Sequence, residues 1–347
     1  MKKISSLELF AGCGGLAIGL EKAGFHHILL NEFDKNAAAT LKLNRPKWNV
    51  LLKDIHQVDF TEYKNKVELL SGGFPCQAFS HSGKRLGFQD TRGTLFYEFA
   101  RAIKETSPLC FLAENVKGLL THDQGNTIKT ITNVFEELGY HVFEPLLLNA
   151  NNYDVAQTRE RILIFGVKKQ FKSFFNFNAP LHSKSPNLKD IFFKGSYYKQ
   201  DVSLINTVGN KYSKAKEDIF KKIPEGGNWK NLPISLQQEY LGKMFFSEGG
   251  KTGILKRLSY LKPSVTLLTS PSQKQTERCH PIENRPLTVR EYARIQSFPD
   301  EWLFSGSISS QYKQIGNAVP VMLAYHIGKS IYSQLEKFYK NNQFDNI

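Results

Sequence analysis

The feature that most constrains the fold of this 347-residue chain is an alternation of short apolar runs with helical patterns through residue 167. Short apolar runs predict strands, and the segments between them have the periodicity of helices. The predicted strands are residues 5–10, 27–32, 67–72, 109–114 and 161–167, and the predicted helices are 16–23, 36–44, 93–106 and 127–138. This alternation favours a parallel sheet with helices on both faces, which is an α/β fold.

Residues 168–284 lack this alternation of strand and helix patterns. They are rich in aromatic residues, Lys, Asn and Gly, and prolines interrupt them repeatedly. Helical patterns return with Thr288 three residues before Glu291, which is a capping-box spacing, and with an amphipathic helix over 321–338. We therefore predict a main domain of residues 1–175 and 313–347, closed by the C-terminal helix, and a smaller, irregular, strand-rich domain of residues 176–312 that includes a hinge at 285–312.

The net charge of +14 favours a polyanionic partner such as nucleic acid. Residues 168–284 hold 20 Lys and Arg against 9 Asp and Glu, so the basic excess is concentrated there. A basic surface that only aids solubility needs no such concentration. No apolar run approaches the roughly 18 residues of a membrane helix. Because the N-terminus also lacks a signal-peptide core, we expect a cytoplasmic protein.

The spacing of the four cysteines predicts neither a zinc site nor a disulfide scaffold, because no two form a Cys-x-x-Cys pair. Cys76 lies in a glycine-flanked loop after a predicted strand. Lys84 and Arg85 follow in the same loop and favour the thiolate form. An isolated cysteine is usually a small buried apolar residue, but this placement favours a nucleophile.

A glycine-rich turn at residues 10–15 follows the first predicted strand. Its glycines let the backbone approach a ligand closely, although many such turns have no ligand. Glu32 lies about 20 residues later, the position of an acid that binds ribose hydroxyls. Phe33 is placed to cover an adenine ring, and Asp54 and Ile55 to hold it. The spacing Gly-x-Gly-Gly disfavours a dehydrogenase and leaves open a nucleoside cofactor without a pyrophosphate.

Three charged residues lie at the ends of predicted strands. Glu114 ends the strand at 109–114, and Arg159 and Arg161 lie at the start of the last strand. All three have an ordinary interpretation as solvated surface charges. Residues two apart in an extended segment face the same side. We therefore expect both arginines in one cleft, one touching phosphate and the other fixing Glu114 or a base oxygen.

Together these residues resemble the motifs of the C5-cytosine DNA methyltransferases, in particular the compact bacterial enzymes of restriction–modification systems. The resemblance covers residues 5–167 and 285–330, whereas 168–284 matches no motif. The matching motifs are the turn at 10–15, Glu32, Asp54, Pro75-Cys76-Gln77, Arg92-Gly93-Thr94-Leu95-Phe96, Glu114-Asn115-Val116, Gln157-x-Arg159-x-Arg161, Arg285-Pro286-Leu287-Thr288 and Gly316-Asn317-Ala318-Val319-Pro320.

The resemblance implies a Rossmann-like S-adenosylmethionine-dependent methyltransferase domain, with target recognition in the smaller domain. It implies S-adenosyl-L-methionine as methyl donor, S-adenosyl-L-homocysteine as product and double-stranded DNA of the nucleoid as substrate. It further implies a monomer without metal or membrane partners, and a cognate restriction endonuclease, where one exists, would be encoded separately.

In such enzymes the cysteine thiolate adds to carbon 6 of a flipped-out cytosine while the acid hydrogen-bonds or protonates ring N3. The implied catalytic residues are Cys76, Glu114, Arg159 and Arg161. The implied cofactor-binding residues are Phe10, Ala11, Gly12, Gly14, Gly15, Leu16, Glu32, Phe33, Asp54, Ile55, Gly73, Pro75, Leu95, Asn317 and Ala318. The candidate DNA-binding residues are Ser80, Ser82, Lys84, Arg85, Lys256, Arg257, Ser272 and Gln273.

Three alternatives stay open on the residues alone. An RNA cytosine-5 methyltransferase could use the same fold, but the long basic interval at 168–284 favours duplex DNA. A non-catalytic DNA-binding regulator is disfavoured because Cys76, Glu114 and the glycine turn are all present. A Rossmann oxidoreductase is disfavoured by the glycine spacing.

Overall fold

A computed structural model of the protein describes residues 3–74, 95–182, 184–205, 207–246, 253–273 and 277–344. The chain divides into two compact units. The first unit comprises Met1–Asn149, Glu160–Ser183 and Val321–Ile347, and the second comprises Ala150–Arg159 and Lys184–Pro320.

The bounds of these units differ from the predicted domain bounds. Residues 150–159, predicted in the main domain, belong to the second unit, as do 313–320, whereas 176–183 belong to the first. The physical reason is hydrogen bonding over long sequence distances. Within the second unit, the Ala156 carbonyl accepts from the Ser264 amide at 2.8 Å, and such a contact leaves no local pattern in the sequence.

A mixed sheet forms the centre of the first unit. The strands of the described residues are β1 (Ser5–Leu9), β2 (His26–Glu32), β3 (Val50–Leu52), β4 (Leu69–Gly72), β5 (Cys110–Val116), β6 (Tyr140–Val142), β7 (Leu146–Asn149), β8 (Gln157–Thr158), β9 (Glu160–Lys168) and β10 (Ser264–Val265). The sheet has the order β3-β2-β1-β4-β5-β9-β6, and β7 also pairs with β9. The α/β class is thus confirmed, with β1 to β5 parallel.

The sheet departs from the predicted all-parallel arrangement at β9, which is antiparallel to β5, β6 and β7. Parallel neighbours need a crossover connection, usually a helix, between them. Residues 150–159 connect β7 to β9 through the second unit instead. The chain therefore enters the sheet in the opposite direction.

The α-helices within the part of the chain that the structure describes are α1 (Gly15–Ala23), α2 (Lys35–Asn44), α3 (Leu95–Thr106), α4 (Asn126–Glu137), α5 (Leu188–Phe192), α6 (Lys214–Phe220), α7 (Ile234–Leu241), α8 (Val289–Ile295), α9 (Ile308–Asn317) and α10 (Val321–Phe344). The first four and α10 belong to the first unit. Asp34 begins α2 by accepting hydrogen bonds from Asn36 N and Ala37 N, the expected role of an N-cap aspartate.

The core of the first unit is aromatic where α3 and α4 cover the sheet. Phe99 and Phe135, from these helices, pack with Phe111 of β5, and all three side chains are fully buried. Burying each ring contributes roughly 1.5–3 kcal/mol. At the other end of the chain, α10 packs on α1, where a side chain at Gly19 would lie 2.4 Å from Ala324 Cβ.

The second unit is not strand-rich in the part of the chain that the structure describes. Its described secondary structure is helical apart from the short parallel pair of β8 and β10 and the isolated β-bridges Tyr153–Lys184, Arg257–Cys279 and Cys279–Pro286. The predicted capping box is confirmed, because Thr288 accepts from Glu291 N and Glu291 accepts from Thr288 N at the start of α8. The remaining chain consists of irregular segments.

Arg257 explains how these irregular segments are stabilised without a sheet. Its side chain is 3% exposed, and its guanidinium donates to backbone carbonyls that a strand ladder would otherwise satisfy. The acceptors are the carbonyls of Phe220, Ile223, His280, Pro281, Ile282 and Glu283, together with Asn284 Oδ1. A single buried arginine thus satisfies carbonyls of several irregular segments, in addition to the isolated β-bridges that Cys279 forms with Arg257 and Pro286.

Among the helices of the described residues, none is both long enough and apolar enough to span a membrane.

Candidate active site

The carboxyl ends of the parallel strands meet at one edge of the central sheet. β3, β2, β1, β4 and β5 lie side by side, each parallel to its neighbour. The residues at these ends are the glycine turn after β1, Glu32 at the end of β2, Asp54 after β3, Gly73 after β4 and Glu114 near the end of β5. Ligands of open α/β sheets bind at this edge.

The glycine turn has the backbone geometry that only glycine adopts easily. Gly12 and Gly14 have φ values of 55° and 93°, and Phe10 also has a positive φ of 56°. A Cβ at Gly12 would have no heavy atom of the described residues within 4 Å, so these residues leave open space at the turn. Gly14 is the N-cap residue of α1, and as a glycine it has no side chain that could cap the helix. The first amides of α1 are therefore left without a capping side chain.

Glu32 organises this turn. Its carboxylate accepts hydrogen bonds from Gly12 N at 2.6 Å, Phe33 N at 2.9 Å and Asp34 N at 2.7 Å. Burial raises the pKa of Glu32, and the three amides oppose this shift. A carboxylate has about four acceptor positions, so one position stays available for a ribose hydroxyl.

We expect Glu32→Ala to weaken binding of S-adenosylmethionine, the cofactor that the sequence resemblance implies, by about ten- to a hundred-fold. The substitution removes the acceptor of three amides of the turn and the acceptor position left for a ribose hydroxyl, and one hydrogen bond to a charged group contributes about 1.5–3 kcal/mol. Titration calorimetry with the cofactor measures the effect, and Glu62→Ala, at an exposed acid, is the matched control. Unchanged affinity would contradict the assignment.

The residues predicted to hold an adenine ring differ in exposure. Phe33 is 71% exposed beside the turn, so its ring is presented for stacking. Asp54 is partly exposed and accepts from His56, and these hydrogen bonds lower the pKa of Asp54. Ile55 is 3% exposed and lies in the hydrophobic core, so its side chain is not available to sandwich a base. Its assignment as a cofactor contact stays a prediction.

Other predicted cofactor residues of the first unit are mainly buried supports. Leu16, in the first turn of α1, is 6% exposed, and Ala11 is 5% exposed. The Ala11 amide donates to Asn31 O at 3.0 Å, which fixes the turn to β2. Leu95 begins α3 and packs against the core, and Gly15 is the first residue of α1. The turn is thus a rigid platform.

Glu114 and Arg161 form an ion pair. Arg161 Nε lies 2.8 Å from Glu114 Oε1, and each side chain is 12% exposed. The register explains the contact: Glu114 pairs with Leu163 and Val116 with Arg161 across β5 and β9. Glu114 and Arg161 are therefore diagonal neighbours on one face, within reach of long side chains. The predicted partnership of an arginine with Glu114 is present in the structure.

Gly73 brings the backbone after β4 directly against this acid. A Cβ at Gly73 would lie 2.8 Å from Glu114 Oε2, closer than packed atoms approach. Only glycine leaves the second carboxylate oxygen room at this position. The Oε1 atom of Glu114 thus contacts Arg161, and its Oε2 atom faces the backbone at Gly73.

Asn115 is a functional residue that the sequence analysis did not single out. It is 4% exposed, and its Nδ2 donates to Phe74 O at 2.9 Å. Its Oδ1 accepts from Val116 N at 2.8 Å. Asn115 therefore fixes the chain two residues before Cys76. Its place inside the Glu-Asn-Val motif is the signal that could have identified it.

Arg159 does not join Glu114. It belongs to the second unit, is 2% exposed, and donates to the carbonyls of Leu267, Gly316 and Ala318. The extended-segment prediction fails here because β8 ends at Thr158 and β9 begins at Glu160. Arg159 therefore lies outside both strands, and we correct its assignment from a catalytic to a structural residue.

Gln157 is a second residue that the sequence analysis did not single out. Its Oε1 accepts from Leu267 N at 2.8 Å, and its Nε2 donates to Gln296 Oε1 at 2.8 Å. Gln296 in turn donates to the carbonyls of Ile315 and Ala318. The Gln157-x-Arg159 motif thus fixes the end of α9, where Asn317 is exposed and Ala318 is 8% exposed.

The predicted residues Pro75, Cys76, Ser80, Ser82, Lys84 and Arg85 lie outside the described residues.

The predicted DNA readers of the second unit have different environments. Arg257 is buried and its guanidinium donates to backbone carbonyls, so its assignment as a residue that reads DNA bases is wrong. Lys256 is half-buried and donates to Gly226 O at 2.6 Å. Ser272 accepts from Asn210 Nδ2 at 2.9 Å, whereas Gln273 is exposed. Of the four residues, Gln273 is the one presented to solvent.

Comparison with known proteins agrees with this arrangement. The sequence model of the family described as C-5 cytosine-specific DNA methylase matches residues 4–333. The structure is similar to that of a candidate DNA modification methyltransferase encoded in an Escherichia coli prophage, with a TM-score of 0.69, 25% identity and coverage of 96% of this chain and 100% of the other. It also shares its fold with Schizosaccharomyces pombe Dnmt2, with a TM-score of 0.61, 16% identity and coverage of 97% and 99%.

The chain therefore belongs to the C-5 cytosine-specific DNA methylase family and is a DNA (cytosine-5-)-methyltransferase. Among its relatives, the type II methyltransferase M.Eco47II of Escherichia coli is 56% identical over 96% of this chain and 80% of the relative. M.PspPI of Psychrobacter sp. is 53% identical with the same coverage. M.Sau96I of Staphylococcus aureus is 48% identical over 97% of this chain and 77% of the relative.

Proposed function

We propose that this enzyme transfers a methyl group from S-adenosylmethionine to carbon 5 of a flipped-out cytosine within a short double-stranded DNA sequence. The observation that carries the proposal is the Glu114–Arg161 ion pair against Gly73, at the sheet edge that also holds the glycine turn. Since M.Eco47II and M.Sau96I are named type II methyltransferases, the proposed role is that of the methylase of a restriction–modification system.

The first unit fits S-adenosylmethionine. The open space at Gly12, the uncapped start of α1 and the exposed Phe33 ring suit an amino acid carboxylate and an adenosine. Glu32 has an acceptor position for the ribose. Bound there, S-adenosylmethionine supplies an electrophilic methyl group. Among the residues of the second unit, Asn317 and Ala318 remain proposed cofactor contacts from the family resemblance.

The remaining chemistry belongs to residues of the chain. Carbon 5 of cytosine is a weak nucleophile until a bond forms at carbon 6. Cys76 Sγ forms that bond, the electron pair of the C5–C6 double bond shifts into the C4–C5 bond, and the C4–N3 pair moves onto N3, where Glu114 shares or delivers a proton. With S-adenosylmethionine bound, carbon 5 would take the methyl group as the bond from that group to the sulfonium sulfur breaks, which leaves S-adenosylhomocysteine. Transfer of the carbon 5 proton to a solvent base then restores the C5–C6 double bond as the C6–S bond breaks, and N3 returns its proton to Glu114.

Arg161 orients Glu114 for this step. Its guanidinium holds one carboxylate oxygen at 2.8 Å, so the other can face the base. A charge-assisted contact of this kind is stronger than a neutral hydrogen bond. The base must leave the duplex, because N3 is occupied by pairing within the double helix.

Bisulfite sequencing tests the proposal. The enzyme is incubated with labelled S-adenosylmethionine and unmethylated genomic DNA, and an RNA transcript serves as the alternative substrate. Label in DNA and protected cytosines within one recurring sequence are expected. Label only in RNA, or in neither nucleic acid although the cofactor binds, would refute the proposed substrate.

We assign target recognition to the second unit and predict that exchanging residues 184–284 with those of a relative of different specificity changes the sequence that is methylated. These residues lie wholly in the second unit, whereas Glu114, Arg161 and the glycine turn lie in the first. The chimera should therefore keep the cofactor affinity of the parent. Methylation of the parental sequence by an active chimera would contradict the assignment.

A further inference from the structure

A segment of the second unit combines exposed side chains with a backbone held by buried ones. We call residues 264–273 the strap. Leu268 is 43% exposed, and Thr269 and Gln273 are also exposed. A surface loop ordinarily has its carbonyls solvated and its backbone mobile, so the source of the strap's order is informative.

Buried donors hold the carbonyls in the first part of the strap. Tyr292 Oη donates to Leu268 O at 3.0 Å, and Tyr292 is fully buried in α8. Arg278 Nη2 donates to Thr266 O at 2.7 Å, and Arg278 is 5% exposed. Arg159, as described above, donates to Leu267 O at 3.1 Å. Three successive carbonyls are therefore fixed by side chains from three parts of the second unit.

The second part of the strap is held in the same way. The Arg278 amide donates to Pro271 O at 2.8 Å, and Lys216 Nζ lies 3.4 Å from Ser272 O. Asn210 Nδ2 donates to Ser272 Oγ at 2.9 Å. At the centre, a Cβ on Gly316 would lie 2.1 Å from Leu268 O, so α9 also supports the strap by close contact.

This arrangement is suited to reading the edges of DNA bases. A side chain discriminates bases by the fixed position of its donor and acceptor atoms, so a reading element gains from a backbone ordered before binding. Gln273 offers an amide donor and acceptor, and Thr269 offers a hydroxyl and a methyl group. Double-stranded DNA is the partner that fits, because this enzyme is a DNA methyltransferase and the basic excess of the chain lies in 168–284.

We propose that the strap is a base-reading element, that Thr269 and Gln273 are specificity-determining residues, and that Tyr292 is a positioning residue for them. The inference rests on the proposed role of the second unit in target recognition. The base-reading role predicted for Arg257 is thereby assigned to two exposed residues, Thr269 and Gln273, on a backbone that other side chains hold in place.

The double variant Thr269→Ala/Gln273→Ala tests the readers. We expect kcat/KM for the recognised DNA sequence to fall by about ten- to a hundred-fold, with discrimination against sites that differ at one base pair reduced, and the cofactor dissociation constant unchanged. Ile234→Ala, at a residue of α7 that is 67% exposed, is the matched control. Unchanged kcat/KM and discrimination in the double variant would overturn the inference.

Tyr292→Phe tests the positioning role, because it removes the hydroxyl on Leu268 O and keeps the ring against Tyr312. We expect KM for DNA to rise and discrimination between cognate and one-mismatch sites to fall several-fold, while the cofactor dissociation constant is unchanged. A lower melting temperature with discrimination intact would show a purely structural role and refute the positioning role.

The wild-type enzyme in the same experiment separates this inference from the proposed function. Absence of 5-methylcytosine on every DNA tested with the wild type would refute the proposed function. Sequence-specific methylation by the wild type together with unaltered behaviour of both variants would refute the strap alone.

Discussion

Glu114→Gln is expected to lower kcat by about 10²- to 10⁴-fold, the range that a positioned acid contributes. Glutamine matches the carboxylate in shape and still offers Arg161 an oxygen at the place where Oε1 now lies 2.8 Å from Nε. It carries no proton that can move to ring N3. The loss should therefore appear in kcat, with little change in the dissociation constant for the cofactor. Single-turnover methylation under saturating DNA measures it.

Glu160→Gln is the matched control for Glu114→Gln. Glu160 is also a glutamate of the β5–β9 region, but it is paired with Lys117 at the surface, with side-chain exposures of 41% and 58%. Exposed pairs of this kind contribute about 0–1 kcal/mol. The control should keep the parental rate. Single-turnover rates within a few-fold of the parent for Glu114→Gln would exclude Glu114 from the chemistry.

The part of this site that could be predicted from the sequence depends on local patterns. Glu32 ends β2 and Glu114 lies two residues before the end of β5, and parallel strands must place their carboxyl ends at one edge. The glycine turn has a recognisable spacing. These features are encoded within a few residues of the chain, so the structure places them as expected.

Arg159 and Arg257 show what such patterns do not encode. Arg257 Nε donates to a backbone carbonyl 34 residues away in the sequence, and Arg159 Nη1 donates to one that is 108 residues away. The sequence alone does not distinguish a buried arginine that donates to backbone carbonyls from a surface arginine that binds phosphate. Charge in the sequence therefore indicates a nucleic-acid partner for the whole segment but does not identify the contacting residues.

The strand-rich prediction for the second unit failed for the same reason. Aromatic and apolar residues between prolines are compatible with strands or with irregular buried segments. Arg257 supplies the donors that make the irregular alternative stable. The antiparallel insertion of β9 likewise depends on the excursion of residues 150–159 into the second unit, which has no local signature.

Cys76→Ser is expected to abolish methyl transfer, with a loss of at least about 10³-fold, and to leave cofactor binding intact. A serine hydroxyl is far less ionised than a thiol near neutral pH, so it cannot form the bond to carbon 6 at a useful rate. The glycine turn and Glu32 are untouched by the substitution. Calorimetry with the cofactor and methylation assays therefore report separate outcomes.

A covalent trap makes this prediction specific to carbon 6. A duplex with 5-fluorocytosine at the target has no proton to lose from carbon 5, so the C6–S bond persists after methyl transfer and the complex survives denaturing electrophoresis. Cys279→Ser is the matched control, because Cys279 is fully buried in the core of the second unit, where burial raises the pKa of its thiol to about 12. The parent and the control should form the trapped complex, and Cys76→Ser should not. A trapped complex with Cys76→Ser would require a different nucleophile, whereas no complex with any of the three proteins, despite methylation of normal DNA, would exclude covalent attack on carbon 6.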